Sequence, residues 1–301
     1  MKISSLLILL FCSTALSAAE KITFDRPLKP GQHFECRIQT DQSARYSFRL
    51  PGNPDPVIKL ETFRAEFRGY VSILKVNRAG NPTSMKICAD RLSGLLDGRS
   101  ISLNLPANAE VMADLSAIPA RFHYNGRELS RNETRIFRLL FHPALENRLS
   151  DLTGTTRELP APGSSWRPEL SGFQKTLADR KIELKPAAMK AGITYYGKDA
   201  QGKRRCQKFG MLIETAGLPD YDFRFQAYFW LAPQGPPVKL VRNVTEVVRR
   251  VLRSSQAFAA GTQVELISED HTEQWMLPVS ALPAPAKKKS PASGEWDSLL
   301  R

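Results

Sequence analysis

Between residues 223 and 231 the chain reads Phe-Arg-Phe-Gln-Ala-Tyr-Phe-Trp-Leu. Successive side chains of a β-strand point to opposite faces. This spacing therefore puts Phe223, Phe225, Ala227, Phe229 and Leu231 on one face and Arg224, Gln226, Tyr228 and Trp230 on the other. The first face reads as core. The second is polar and aromatic, and is either the wetter side of a sheet or a ligand surface. The same period of two recurs at Tyr46, Phe48 and Leu50 and at Phe63, Ala65 and Phe67. Turn residues separate these runs. Pro51–Pro56 and Asn77–Pro82 read as loops. Asp97-Gly98 and Asn125-Gly126 are hairpin dipeptides, because Asn, Asp and Gly accept the positive φ that such turns require. Closely spaced strands with no helix between them pair antiparallel.

Two segments read as helices. Ser130-Arg-Asn-Glu133 fits a capping box, followed by Ile136, Phe137, Leu139, Leu140 and Phe141 at helical spacing. Pro143 breaks this run, and a second short helix is expected from Ala144 to about Leu152. Val244, Val247, Val248, Val251 and Leu252 form an apolar stripe at i, i+3, i+4, i+7 and i+8, with Arg249, Arg250 and Arg253 opposite. That pattern predicts an amphipathic helix over about 243–254. It would lie either across a sheet or on a membrane surface. The fold class is mainly β with a few helices (α+β). The organisation read from the chain is a signal peptide at 1–19, an N-terminal antiparallel β region at 20–129, and a helical insert and linker at 130–167. A C-terminal β region at 168–277, with strands also expected at 172–176 and 180–185, carries the second amphipathic helix. A disordered Pro-, Ala- and Lys-rich tail follows at 278–301.

The leader sets the compartment. One charge, Lys2, precedes the apolar run Leu6–Phe11 and the small residues Ser17-Ala18-Ala19, which is the pattern of an export signal cleaved near Ala19. Cys12 leaves with it, so Cys36, Cys88 and Cys206 meet an oxidising compartment where a disulfide is allowed. By strand phase Cys36 reads as a core residue, and Cys88–Cys206 is the favoured pair. No run past the leader is long and apolar enough for a transmembrane helix.

The chain carries 43 Lys and Arg against 30 Asp and Glu, a formal charge of +13. The densest basic cluster is Lys198, Lys203, Arg204, Arg205 and Lys208. Such a surface favours anionic partners, and export argues against nucleic acid as the partner. Chemistry is not encoded in any motif. There is no nucleophile elbow, phosphate loop or zinc-site spacing, and His33, His123, His142 and His271 are far apart. No catalytic residue, metal ligand or cofactor is assigned.

Tyr228-Phe-Trp-Leu-Ala-Pro-Gln-Gly-Pro-Pro-Val-Lys-Leu240 resembles the strand–turn–strand of the lipoprotein-carrier and lipoprotein-receptor half-barrels of the bacterial envelope and of related uncharacterised secreted β-rich families. The resemblance spans this hairpin and carries over no functional residue. It implies a curved, half-barrel-like antiparallel sheet packed on short helices, with an apolar concave face. The leading functional expectation is an exported, non-enzymatic envelope protein that binds an apolar or amphipathic, anionic ligand such as a lipid. Phe209, Phe223, Phe225 and Phe229 would line the interior, with Tyr228, Trp230, Arg204 and Arg205 at the rim. Two alternatives stand beside it. One is an interaction module that docks another envelope protein through a sheet edge or through Trp296, Leu299 and Leu300 of the tail. The other is a hydrolase of envelope polymers, which would need a His and two carboxylates gathered in one pocket.

Overall fold

The computed structural model describes residues 21–24, 26–106, 108–117, 119–141, 153–154, 156–171, 174, 188–215, 218, 220–252 and 259–282. The leader, the expected second helix, the strands expected at 172–176 (residue 174 apart) and 180–185, and the tail beyond residue 282 lie outside them. So does the docking motif at Trp296.

Period-two patterning has produced one large antiparallel sheet. In chain order its strands are β2 (His33–Arg49), β3 (Val57–Val76), β4 (Pro82–Leu96), β5 (Arg99–Ser100), β6 (Glu110–Asp114), β7 (Arg121–Tyr124) and β8 (Arg127–Glu128). After the helix α1 (Arg131–Leu140) come β10 (Ser165–Trp166), β11 (Met189–Gln201), β12 (Arg204–Thr215), β13 (Tyr221–Leu231), β14 (Lys239–Val251) and β15 (Gln263–Val279). A separate pair joins β1 (Lys21–Thr23) to β9 (Thr156–Glu158). The spatial order of the main path is β10-β11-β12-β13-β14-β15-β2-β3-β4-β6-β7-β8, with β5 added to β4. The two sequence regions are thus one sheet, joined where the last strand, β15, pairs along its whole length with β2. The ends β10 and β8 do not meet, so the sheet is not closed into a barrel.

The turn chemistry behaves as the dipeptides require. Asp97 and Asn125 sit at φ 49°, with Gly98 and Gly126 at 75° and 76°. The capping box also forms. The Ser130 hydroxyl accepts from the Glu133 N–H, and the Glu133 carboxylate accepts from the Ser130 N–H at 2.9 Å. The stripe at 244–252 corrects the helical expectation. Residues 239–251 are a strand paired on both sides, to β13 and β15. Five of its thirteen residues are β-branched valine, which suits a pleated surface, and its place between two long strands gives its backbone partners on both sides.

Register makes one face of the sheet continuous. Phe209 lies opposite Phe229, Phe229 opposite Leu240, Thr272 opposite Thr40, and Ile38 opposite Phe67. This inner face holds two apolar clusters. The N-terminal one packs Phe34, Ile38, Phe67, Ile87 and Phe122 under Ile136, Phe137 and Leu140 of α1. The C-terminal one packs Ile193, Tyr195, Phe209, Ile213 and Phe229 under Ile22, Phe24 and Trp166. Between them on the same face runs a polar seam. Arg242 donates to Asp270 at 2.8 Å, Gln42 donates to Asp270 at 2.7 Å, and the Thr40 and Thr272 hydroxyls lie 3.1 Å apart.

Candidate functional site: a cation–aromatic ladder on the outer face

The other face carries the residues that sequence phase assigned to the outside. One row crosses it from β12 to β4: Lys208, Trp230, Lys239, Trp275, Arg37, Arg68 and Arg91 are successive cross-strand partners. Cations and rings alternate along its first part. Lys208 Nζ lies 5.1 Å from the Trp230 ring centroid, 5.7 Å from Tyr196 and 5.8 Å from Tyr228. Lys239 Nζ lies 5.3 Å from Trp230 and 4.7 Å from Trp275, and the Arg37 guanidinium lies 5.5 Å from Trp275 on its other side. Each such contact adds electrostatic attraction between the cation and the negative face of the ring. The aliphatic stems cover the indoles, which are buried, while the charged heads stay at the surface.

Local features hold this arrangement in place. The Trp230 indole N–H donates to Asp199 at 2.8 Å. β11 carries one extra residue at Tyr196, between the Tyr195–Phe209 and Gly197–Lys208 pairs, and Gly197 takes φ 102° there. Such a bulge re-aims a side chain, and here Tyr196 comes within 6.1 Å of Tyr228. Gly210 sits opposite Tyr228, and a Cβ on it would lie 2.8 Å from the Tyr196 ring. Only a residue without a side chain lets these two rings approach. The seven-residue loop after β13 is tied down by Arg26, whose guanidinium donates to the carbonyls of Ala232 and Gly235.

Next to the ladder lies a cavity of about 560 Å³ across β14, β15, β2 and β3, lined by Asp41, Arg64, Asn243, Glu269, Asp270 and His271 among others. Its polar groups are mutually engaged. Arg64 pairs with Asp41, the Ser43 hydroxyl donates to Glu269, and His271 Nδ1 lies 2.6 Å from Asn243 Oδ1. Asp270 belongs to the inner face, where Arg242 holds it. No group of three or more His, Cys, Asp or Glu has metal-binding geometry among the described residues.

The structure divides the expected site residues. Tyr228 and Trp230 come together on the outer face. Arg204 and Arg205 stand at the tip of the β11–β12 hairpin, beyond the cation–ring contacts. Phe209, Phe225 and Phe229, expected to line an interior, lie in the C-terminal cluster. They are 0%, 6% and 1% exposed, and Phe209 packs on the rings of Phe24, Trp166, Tyr195 and Phe229, so the protein's own side chains fill that space. Phe223 is half-buried and stacked on Tyr221 at the margin of the same cluster. The structure does not bring the favoured disulfide pair together. Cys88 on β4 and Cys206 on β12 are free, with five strands between them. Burial pushes the thiols of Cys36, Cys88 and Cys206 up from their ordinary values, so none is a ready thiolate. Sequence reading missed Lys239, Trp275 and Arg37. Their only signal is cross-strand register, which sets Trp275 beside Arg37 from a distant part of the chain.

No protein-family model matches this chain. No curated protein matches it either. Among solved structures it is similar to a protein of Bacteroides fragilis with a YmcC-like fold, proposed to be exported, at 10% identity and a TM-score of 0.18 over 82% of this chain and 98% of that one. It is also similar to OccK11 (OpdR) of Pseudomonas aeruginosa, at 8% identity and a TM-score of 0.16 over 84% of this chain and 98% of that one. Scores this low establish no shared fold. No helix among the described residues is long and apolar enough to cross a membrane.

Proposed function

We propose that this is an exported, non-enzymatic binding protein of the cell envelope, and that its ligand is an anionic envelope polymer held on the outer face. The observation that carries this reading is the alignment of Lys208, Lys239 and Arg37 against four rings on neighbouring strands. Strands lie about 4.8 Å apart, so successive cations along the ladder are spaced by about 10 Å. Their stems are pinned on the indoles, so little side-chain freedom is lost when an anion binds. An apolar ligand inside the sheet would have to displace the Phe24–Phe209–Phe229 stack, which moves the reading from the interior to the outer face. The export signal at residues 1–19 supports the envelope as the place of action.

The test is binding of the purified protein to immobilised polygalacturonate, dextran sulfate and uncharged dextran at several salt concentrations. Salt-sensitive binding to both charged polymers and none to dextran is expected. The K208A/K239A/R37A variant should bind at least roughly tenfold more weakly, the change that about 1.4 kcal/mol produces. Equal binding by wild type and variant, or none by either, sinks the reading.

A second reading, hydrolysis of an envelope polymer, has one observation in its favour. His271 and the carboxylates of Asp41, Glu269 and Asp270 line a single cavity. Release of reducing ends from envelope polysaccharides by wild type, abolished in D41N/E269Q, would support it. The ion pairs and hydrogen bonds that already occupy these groups favour a structural role instead.

A further inference from the structure

Where the long strands run past both clusters, the sheet carries large apolar side chains among charged ones on both faces. At this end β14, β15, β2 and β3 lie side by side, in the register Val251–Gln263–Arg49 on one face and Arg250–Val264–Phe48–Val57 on the other. The inner face here shows Tyr46, Phe48, Val57, Val264 and Leu266, and the outer face shows Ile58, Leu60, Val251 and Ile267. Several are open to solvent: Leu60 is 59% exposed, Val57 56%, Ile58 51% and Val251 65%. Large apolar side chains exposed together mark an interaction surface.

We infer that this end of the sheet inserts into the headgroup layer of an anionic lipid bilayer. Two features select lipid over a protein groove. A groove covers one face of a strand pair, whereas a lipid surface can wet both faces of a wedge. The charge around the wedge is also cationic. Lys59 is paired with Glu61, and Arg249 is paired with Asp222 and Glu265. The exposed Arg45, Arg49 and Arg250 have no ion-pair partner among the described residues. Apolar side chains with flanking cations give interfacial binding, each cation adding about 1 kcal/mol near an anionic surface. The insertion is shallow. The turn around Pro51 and the strand ends carry backbone groups that need water, so hydrocarbon depth is closed to them. This surface lies away from the ladder row and does not depend on it.

The experiment is co-sedimentation of the full chain with vesicles of phosphatidylcholine alone or mixed with phosphatidylglycerol. Binding is expected to the mixed vesicles. It should fall at least roughly tenfold in I58E/L60E, and R49E/R250E should lose the preference for phosphatidylglycerol. Thermal melts confirm that each variant folds. I58W provides a gain-of-signal check, because its fluorescence should shift blue with mixed vesicles and stay unchanged with buffer. K208E/K239E should keep vesicle binding. The inference is overturned if wild type ignores the mixed vesicles or if folded I58E/L60E binds as well as wild type. It is equally overturned if only the ladder variant loses binding, or if the wedge instead supports a dimer that I58E/L60E dissolves.

Discussion

The two apolar clusters share one sheet face yet are closed by different means. The N-terminal cluster is roofed by α1, whose first turn is anchored by a buried carboxylate. Glu133 accepts from the Ser130 N–H and hydroxyl and from the Asn104 N–H, the last at 2.9 Å. The C-terminal cluster is held differently. It is closed by aromatic stacking, with Phe24 edge-on to Phe209 at 5.3 Å and Phe209 stacked on Phe229 at 5.4 Å. A sheet face thus needs apolar cover of the right shape, not a particular element. A helix supplies it as a stripe, and a few rings supply it as bulk.

The strongest way to break this comparison is to remove bulk from the aromatic cluster. F209A should destabilise the protein by about 3–5 kcal/mol, since Phe209 is wholly buried and its neighbours cannot collapse freely around the void. The thermal melt should stay a single transition at a lower temperature, because β14, β15 and β2 tie both clusters into one sheet. Two separated transitions would show that the clusters fold independently. The polar seam comes next. D270A leaves the Arg242 guanidinium without its carboxylate and should cost about 2 kcal/mol by chemical denaturation. That is less than the loss of a fully buried partner, because both side chains keep some solvent contact.

The helical lid is sharpened by pH. Burial pushes the Glu133 carboxyl up, but hydrogen bonds from Ser130 and Asn104 outweigh it and hold the group below its ordinary value. A depressed folded value means that its contribution is present above the unfolded value, near pH 4.3, and is lost as pH falls through the folded value. Acid titration of wild type should therefore show a loss of stability below about pH 4 that E133Q lacks. At neutral pH, E133Q should cost about 1 kcal/mol through the weakened cap. The smallest effect belongs to the outer face. K239A removes two cation–ring contacts and should change stability by about 0.5–1 kcal/mol while weakening polyanion binding much more, which separates a binding role from a structural one.

Much of this was legible in the chain because strand phase is local. Alternation in residues 223–231 assigned Phe225 and Phe229 inward and Tyr228 and Trp230 outward, as found. The capping box at Ser130 and the turns at Asp97-Gly98 and Asn125-Gly126 rest on neighbours a few residues apart, and they formed as read. The segment at 244–252 failed because valines at i, i+3 and i+4 also fit a strand with valine on both faces. Only the presence of β13 and β15 on either side decides between the two. The packing around Phe209 was not legible, because Phe24 and Trp166 come from distant segments. Their rings reach Phe209 only after the chain has folded.

The sequence by itself determined the period of the strands, which side of each would be apolar, where the hairpins turn and where α1 begins. Those properties follow from backbone geometry and from the nearest few side chains. Tertiary structure alone decided that the two β regions are one sheet, that Lys239, Trp275 and Arg37 join Trp230 in a ladder, and that four strand ends make a two-faced apolar wedge. Each depends on the pairing of β15 with β2, a contact between the two ends of the described chain. Such pairing is fixed by the packing of the whole sheet face rather than by any local preference.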